Sequence, residues 1–406
     1  MNKSIENIKN SVSKKIISLS SHGGDIRRVF MLGQELKMQN PDLNLIDLSL
    51  GNPDVEHPKE VDQALISLLG GNSTAKENPS HRYMDAAGLP EVRNYIASQL
   101  SISEGVSVVQ DSVYLTVGAA GGLQILLRSF LDEGDEAIIF SPFFPEYVPY
   151  ILNFDAVPVI CPCDAQHKPN VEAFAKLITN KTKLVLLNSP NNPSGVVYPR
   201  DHLEKIFAVL NEKFKSTGQV IHVVSDEPYS RVIYKNEIFP NILPLYPFSW
   251  VVRSYSKDLC LAGERIGYIA WSESLLKQLP FIPNTFRNAS RILGFVCAPR
   301  LMQSLIPHIY HERVDVDIYE NRVSEFVDYL TKNGFNVVKP QAGFFVFPQS
   351  PIQDDRLFCD RLVSHGVLCV PGSGFGSPGY FRASLTQDIS LIEEAARRIV
   401  DCARAA

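Results

Sequence analysis

Short apolar runs recur through the middle of the chain, at 112–116, 136–140, 157–161, 184–188, 220–226, 250–255 and 267–271. Each is too short for a core helix and reads as a β-strand, and helical or irregular connections separate them. This alternation predicts an α/β fold with a mainly parallel seven-stranded sheet sandwiched by helices, in a large domain over 62–298. The pattern then changes. A long charged helix over 299–332 precedes shorter strands at 335–339, 343–347, 367–371 and 380–384, which predicts a smaller α+β domain over 299–406. The N-terminal segment, 1–61, completes that smaller domain in this reading. Within it, residues 25–39 form an amphipathic helix with Ile26, Val29, Phe30 and Gly33 on one face. No internal repeat or low-complexity stretch is visible.

Composition narrows the function classes. With 406 residues, 45% hydrophobic and 20% charged, the chain has material for two domains. A net charge of −5 and the lack of a basic patch argue against a nucleic-acid partner. Lys14-Lys15 and Arg27-Arg28 read as solvated helix faces. The stretch 1–7 lacks the apolar core of a secretory signal and no run is long enough to span a bilayer, so no membrane role is expected and the cytoplasm is the default compartment. Of seven cysteines only Cys161 and Cys163 lie close together, which gives neither a disulfide framework nor a metal site.

The candidate chemistry collects where strands end. Lys257 sits between the strand-like runs 249–255 and 266–271, where burial lowers an amine's pKa and makes it a nucleophile. Asp226 closes another run, with Tyr229 three positions later. Run 184–187 leads into Asn188-Ser189-Pro190-Asn191-Asn192-Pro193-Ser194-Gly195. Run 112–116 leads into Val117-Gly118-Ala119-Ala120-Gly121-Gly122 and a helical pattern. Ligands of open α/β sheets bind outside the carboxyl ends of the strands. Singly, each feature has a plain alternative: a solvated lysine, a helix-capping aspartate, a turn, or a glycine-rich contact between helix and strand.

Taken in order, seven motifs resemble the fold-type I aminotransferases that use pyridoxal 5′-phosphate, in the class I/II aspartate-aminotransferase-like group. They are Gly51-Asn52-Pro53-Asp54, Tyr83 with Gly88, Gly118-Ala119-Ala120-Gly121, Asn188 through Gly195, Asp226 with Tyr229, Ser254 with Lys257 and Arg265, and Phe381-Arg382-Ala383-Ser384. The resemblance runs from about Leu48 to Thr386. It implies transfer of an amino group between an L-amino acid and a 2-oxo acid through a Lys257 Schiff base. It also implies a homodimer with shared active sites. By resemblance, Gly118, Ala119, Ala120, Ser254 and Arg265 hold the cofactor's phosphate, and Tyr83 reaches it from the other subunit. Asp226 pairs with the pyridine nitrogen, Tyr229 and Asn192 hold the phenolic oxygen, and Phe144 stacks on the ring. Arg382, with Gly51 and Asn192, takes the substrate's α-carboxylate. A second arginine for a substrate side chain has four possible sources: Arg27, Arg28, Arg287 and Arg291.

Two other enzyme classes fall away. Ser254-Tyr255-Ser256-Lys257 matches Ser-x-x-Lys, but it follows a strand and no Lys-Thr-Gly accompanies it, against a serine hydrolase. Gly118-Ala119-Ala120-Gly121-Gly122 does not spell the dinucleotide fingerprint. The open alternative is another reaction of the same cofactor on the same fold, such as β- or γ-elimination or replacement, cyclisation or oxidation.

Overall fold

The computed structural model describes residues 11–20, 22, 24–40, 43–69 and 81–405. Residues 1–7, read above for a targeting signal, lie outside them. A two-residue strand, β1 (Ile46–Asp47), precedes the seven that build the main sheet. These are β2 (Val113–Val117), β3 (Glu136–Ser141), β4 (Val157–Pro162), β5 (Thr182–Asn188), β6 (His222–Asp226), β7 (Ser249–Ser254) and β8 (Ile266–Ala270). Their order is β2-β8-β7-β6-β5-β3-β4. Residues 137–139, 223–224 and 251–252 are fully buried, since helices cover both faces, and this is why the runs are continuously apolar.

One strand departs from the parallel pattern, and its departure builds the site. Only a short 3₁₀ turn, Ala262–Glu264, lies between β7 and β8, and a parallel return needs a crossover of a dozen or more residues, usually a helix. So β8 runs antiparallel to both of its neighbours, with Ile266 beside Val117 and Gly267 beside Ser254. The start of β8 therefore meets the carboxyl ends of the parallel strands. Arg265 arrives at the rim where the other loops converge.

A second hydrophobic core is separate from the sheet. Helix Val316–Lys332 contributes Tyr319, Val323 and Phe326 to it, and helix Ile389–Arg404 contributes Ile392 and Ile399. Phe344, Phe358 and Phe381 fill the middle. β1 pairs in parallel with β10 (Val367–Leu368), so the N-terminal segment adds a strand on this side. β9 (Phe345–Val346), β11 (Val370–Pro371) and β12 (Phe381–Ser384) form a three-stranded antiparallel sheet in the order β11-β12-β9.

Three expectations change. The long helix over 299–332 is two helices, Arg300–Ile309 and Val316–Lys332. Pro307 sits in the last turn of the first, and the Asp315 side chain caps the second by accepting from Asp317 N. The break is used: Val314 N donates to Asp258 O at 2.7 Å, tying down the loop that follows Lys257. Residues 335–339 form no strand, and run 367–371 divides at Cys369 between two sheets. The helix over 25–39 is present, with Val29 and Gly33 buried. Among the described residues no helix is long and apolar enough to cross a membrane.

Candidate active site

A cavity of about 280 Å³ opens at the carboxyl ends of the parallel strands. Helix Gly118–Phe130 begins at its edge. Gly118 has φ +65°, and a Cβ there would lie 2.9 Å from Arg265 Nη2, so glycine lets the guanidinium rest against the helix start. Arg265 Nη1 donates to Ala262 O, and no carboxylate pairs with it among the described residues. With the backbone N–H groups of the first helical turn and Ser254 lining the same cavity, this corner suits an anion. Ala119 and Ala120 line it as well.

Lys257 reaches the cavity from the loop after β7. Its Nζ donates to Gly51 O at 2.7 Å and lies 5.6 Å from the centre of the Phe344 ring. Burial, with Arg382 and then Arg265 as cationic neighbours, lowers its pKa to about 8, and Cys260 offsets this slightly. Gly51 has no room for a side chain, because a Cβ would run into the Phe345 ring.

Asp226, at the end of β6, is buried. Its Oδ2 accepts from Tyr147 OH at 2.5 Å, and its Oδ1 has no partner among the described residues. Burial raises its pKa to about 7, against the pull of the Tyr147 hydrogen bond. Asn188, at the end of β5, donates from Nδ2 to Asp226 O and accepts from Asn192 N through Oδ1. Tyr147 is a site residue that the sequence reading missed, and Asn188 was seen only as the start of a loop. The one sequence cue for Tyr147 is an aromatic hydroxyl just past the Phe144-Pro145 corner.

Arg382 is 1% exposed and has no acidic partner among the described residues. Nη1 donates to Asn192 Oδ1 at 3.0 Å, Nη2 donates to Ser49 O, and Nε is unpartnered. The guanidinium stacks between Phe345 and Phe375, 4.5 and 4.9 Å from their ring centres. Burial lowers its pKa to about 10. Tyr229 is buried edge-on against Phe344 and Phe345, and burial lifts its hydroxyl far above the usual range. Phe144 is half-buried at the cavity wall, edge-on to Tyr147.

Tyr83 lies elsewhere, wholly exposed. Of the four candidate arginines none lines the cavity. Arg287 holds Asp85 in a two-pronged ion pair at 2.8 and 2.9 Å, and Arg28 pairs with Asp25 at 3.3 Å. Arg27 and Arg291 are exposed.

The family model described as "Aminotransferase class I and II" matches residues 44–399. The chain belongs to this family. This aminotransferase is 30% identical to an aspartate aminotransferase of Thermotoga maritima over 88% of its own length and 91% of the relative's. It is 29% identical to a probable aspartate/prephenate aminotransferase of Aquifex aeolicus, over 90% and 92% of the two chains. A solved amino transferase of Eubacterium rectale superposes with a TM-score of 0.91 at 31% identity, covering 97% of this chain and 98% of that one. The protein is thus a fold-type I transaminase that uses pyridoxal 5′-phosphate. The donor set fits that cofactor: a buried carboxylate oxygen without a partner for a cationic ring nitrogen, an arginine with no acid among the described residues beside a helix N-terminus for a phosphate, and a lysine amine in the same cavity.

Proposed function

We propose that this aminotransferase moves an amino group between an L-amino acid and a 2-oxo acid with Lys257, Asp226 and Tyr229 as its catalytic residues. The observation that carries the reading is the convergence of three groups in one cavity. These are a lysine titrating near 8, an aspartate with an empty oxygen and an arginine with no acid to neutralise it. When bound, pyridoxal 5′-phosphate supplies a carbonyl for the amino group and a ring that draws electrons from the substrate's Cα.

The protein's own groups do the rest. Gly118, Ala119, Ala120, Ser254 and Arg265 hold the phosphate. Asp226 keeps the ring nitrogen protonated, and Phe144 packs on the ring. Asn192 Oδ1 is occupied by Arg382, which leaves its Nδ2 to join Tyr229 in holding the phenolic oxygen. Arg382 and the Gly51 backbone orient the α-carboxylate. That fixes the Cα–H bond toward Lys257 Nζ, which takes the proton and returns it. Ile26, Leu50 and Tyr150 complete an apolar wall that limits water. Tyr83, exposed in one copy, would complete the phosphate site of a second in a homodimer working in the cytoplasm. The two separate cores support a division into a large and a smaller domain, but Met302, Leu305, Ile306 and Ile309 pack in the sheet-side core, so the boundary fits better after residue 309 than at 298.

The test is the visible absorbance of the cofactor-loaded protein across a panel of amino acids. Transamination is expected to bleach the band with an L-amino acid and restore it with a 2-oxo acid. Substrate loss without a restorable band would assign the site to elimination, replacement or oxidation instead.

Two variants probe the two anion positions. Arg382→Lys cannot make the forked contact and is expected to lower kcat/KM for amino acids about 100-fold, chiefly through KM. Gly118→Ala forces a side chain onto Arg265 and is expected to weaken cofactor binding about tenfold, measured by titration. Gly294→Ala, which has a similar backbone but open space around it, should leave cofactor affinity unchanged.

A further inference from the structure

Behind Asp226 and Ser254 lies a buried ion triad that the reaction does not use directly. Arg253 Nε donates to Glu227 Oε2 at 2.8 Å, and Arg253 Nη2 donates to Glu104 Oε1 at 2.6 Å. Both glutamate side chains are fully buried, and Arg253 is 13% exposed. Two carboxylates share one guanidinium, and the outer oxygens, Glu104 Oε2 and Glu227 Oε1, have no partner among the described residues.

Such a cluster is a poor source of stability, because desolvating three charges offsets much of their attraction. Glu104 is also the last residue of helix Pro90–Glu104, the unfavourable end of the helix dipole for an acid. Its placement, by contrast, is informative. Glu227 directly follows Asp226 at the end of β6, and its N–H donates to Val252 O of β7 at 2.8 Å. Arg253 directly precedes Ser254 at the end of β7. Neighbouring residues of a strand face opposite sides, so the triad backs the two residues that face the cavity. A second cavity of about 470 Å³, lined by Glu104, Arg253, Arg231 and Asp258, lies on this rear side and shares Ser254 and Pro228 with the first.

We propose that the Glu104–Arg253–Glu227 triad is a positioning device. It clamps the ends of β6 and β7 to each other and to the helix end, and thereby fixes Asp226 and Ser254 relative to the cofactor's ring and phosphate. The proposal rests on Asp226 and Ser254 holding the cofactor as assigned above. Burial and the neighbouring Glu104 raise the Glu227 pKa to about 7, against the pull of Arg253. The other titratable groups around the triad are Tyr268 and Tyr310 beside Arg253, Asp226 next along β6, and the Arg231–Asp258 pair at 3.1 Å.

Arg253→Lys keeps the charge but replaces the fork with a single point, so it cannot hold both arms. In the cofactor-loaded protein it is expected to lower kcat about tenfold with amino-acid KM within twofold of wild type. It should also move the pH midpoint of the bound cofactor's visible band by about half a unit or more. Should that variant fail to fold, Glu104→Gln weakens only the helix arm and is expected to shift the same readouts in the same direction, by about threefold in kcat. A lower melting temperature with kcat and band midpoint unchanged in the variants that fold overturns the proposal and leaves the triad a structural part. If Asp226→Asn itself leaves kcat intact, the underlying assignment falls and the proposal falls with it.

Discussion

Replacing Lys257 by alanine is expected to reduce kcat about 10⁴-fold, the upper range for loss of a positioned proton-transfer group, while the protein still folds and binds the cofactor. Among the described residues the only hydrogen bond from Nζ goes to Gly51 O, so no network collapses with it. The variant should even gain stability near neutrality. In the native protein Lys257 titrates near 8 against 10.5 unfolded, so below about pH 8 the fold carries the full cost of burying a charged amine. Between 8 and 10.5 the unfolded chain binds more protons, and this contribution to native stability rises with pH. The cofactor-free Lys257→Ala protein is therefore expected to melt above wild type at pH 7, with the gap closing toward pH 10. A thermal melt series checks this, and an undiminished turnover in the variant would remove Lys257 from the chemistry.

Asp226→Asn is expected to lower kcat about 10³-fold, since it removes a preorganised charge from a dry site while keeping the shape and the Tyr147 contact. Its linkage has the opposite pattern. The native carboxyl titrates near 7 against 3.8 unfolded, so its contribution to stability is complete below about pH 4 and lost as pH rises through 7. Glu227 and Asp258, raised to about 7 and about 6, act in the same direction, so the informative quantity is the difference between variant and wild type. Without cofactor, wild type should lose more melting temperature than Asp226→Asn between pH 5 and 8. With cofactor the wild-type loss should shrink, because a cation then faces Oδ1.

The strands of the main sheet are legible in the sequence as short apolar runs, most of them because burial on both faces keeps them apolar, whereas the edge strand β4 is apolar although Val157 and Ile160 are exposed. Their spatial order is not legible: β8 follows β7 directly but also pairs with β2, far earlier in the sequence, and so inserts between them. The strands β9 to β12 fall within the runs read at 343–347, 367–371 and 380–384, but their extents and their division between two sheets are not legible, since two-residue strands such as β9 and β10 are too short to show a period. At the site, residues in ordered motifs are readable, Lys257 and Asp226 among them. Tyr147 is not, because it acts by a hydrogen bond across to another strand's end. Arg287 shows the converse: its sequence context suggested a substrate contact, and its geometry commits it to Asp85.

The position of β8 also constrains how the chain can fold. Among the described residues β2 has β8 as its single neighbour in the main sheet, and β8 is the last of the seven strands to be synthesised. While β3 to β7 assemble in turn, β2 and the helix start it carries must wait with a bare edge. Docking of β8 therefore closes the sheet and the anion corner in one event, when Arg265 meets Gly118. A nascent chain released before that point would hold most of the core but no place for the phosphate.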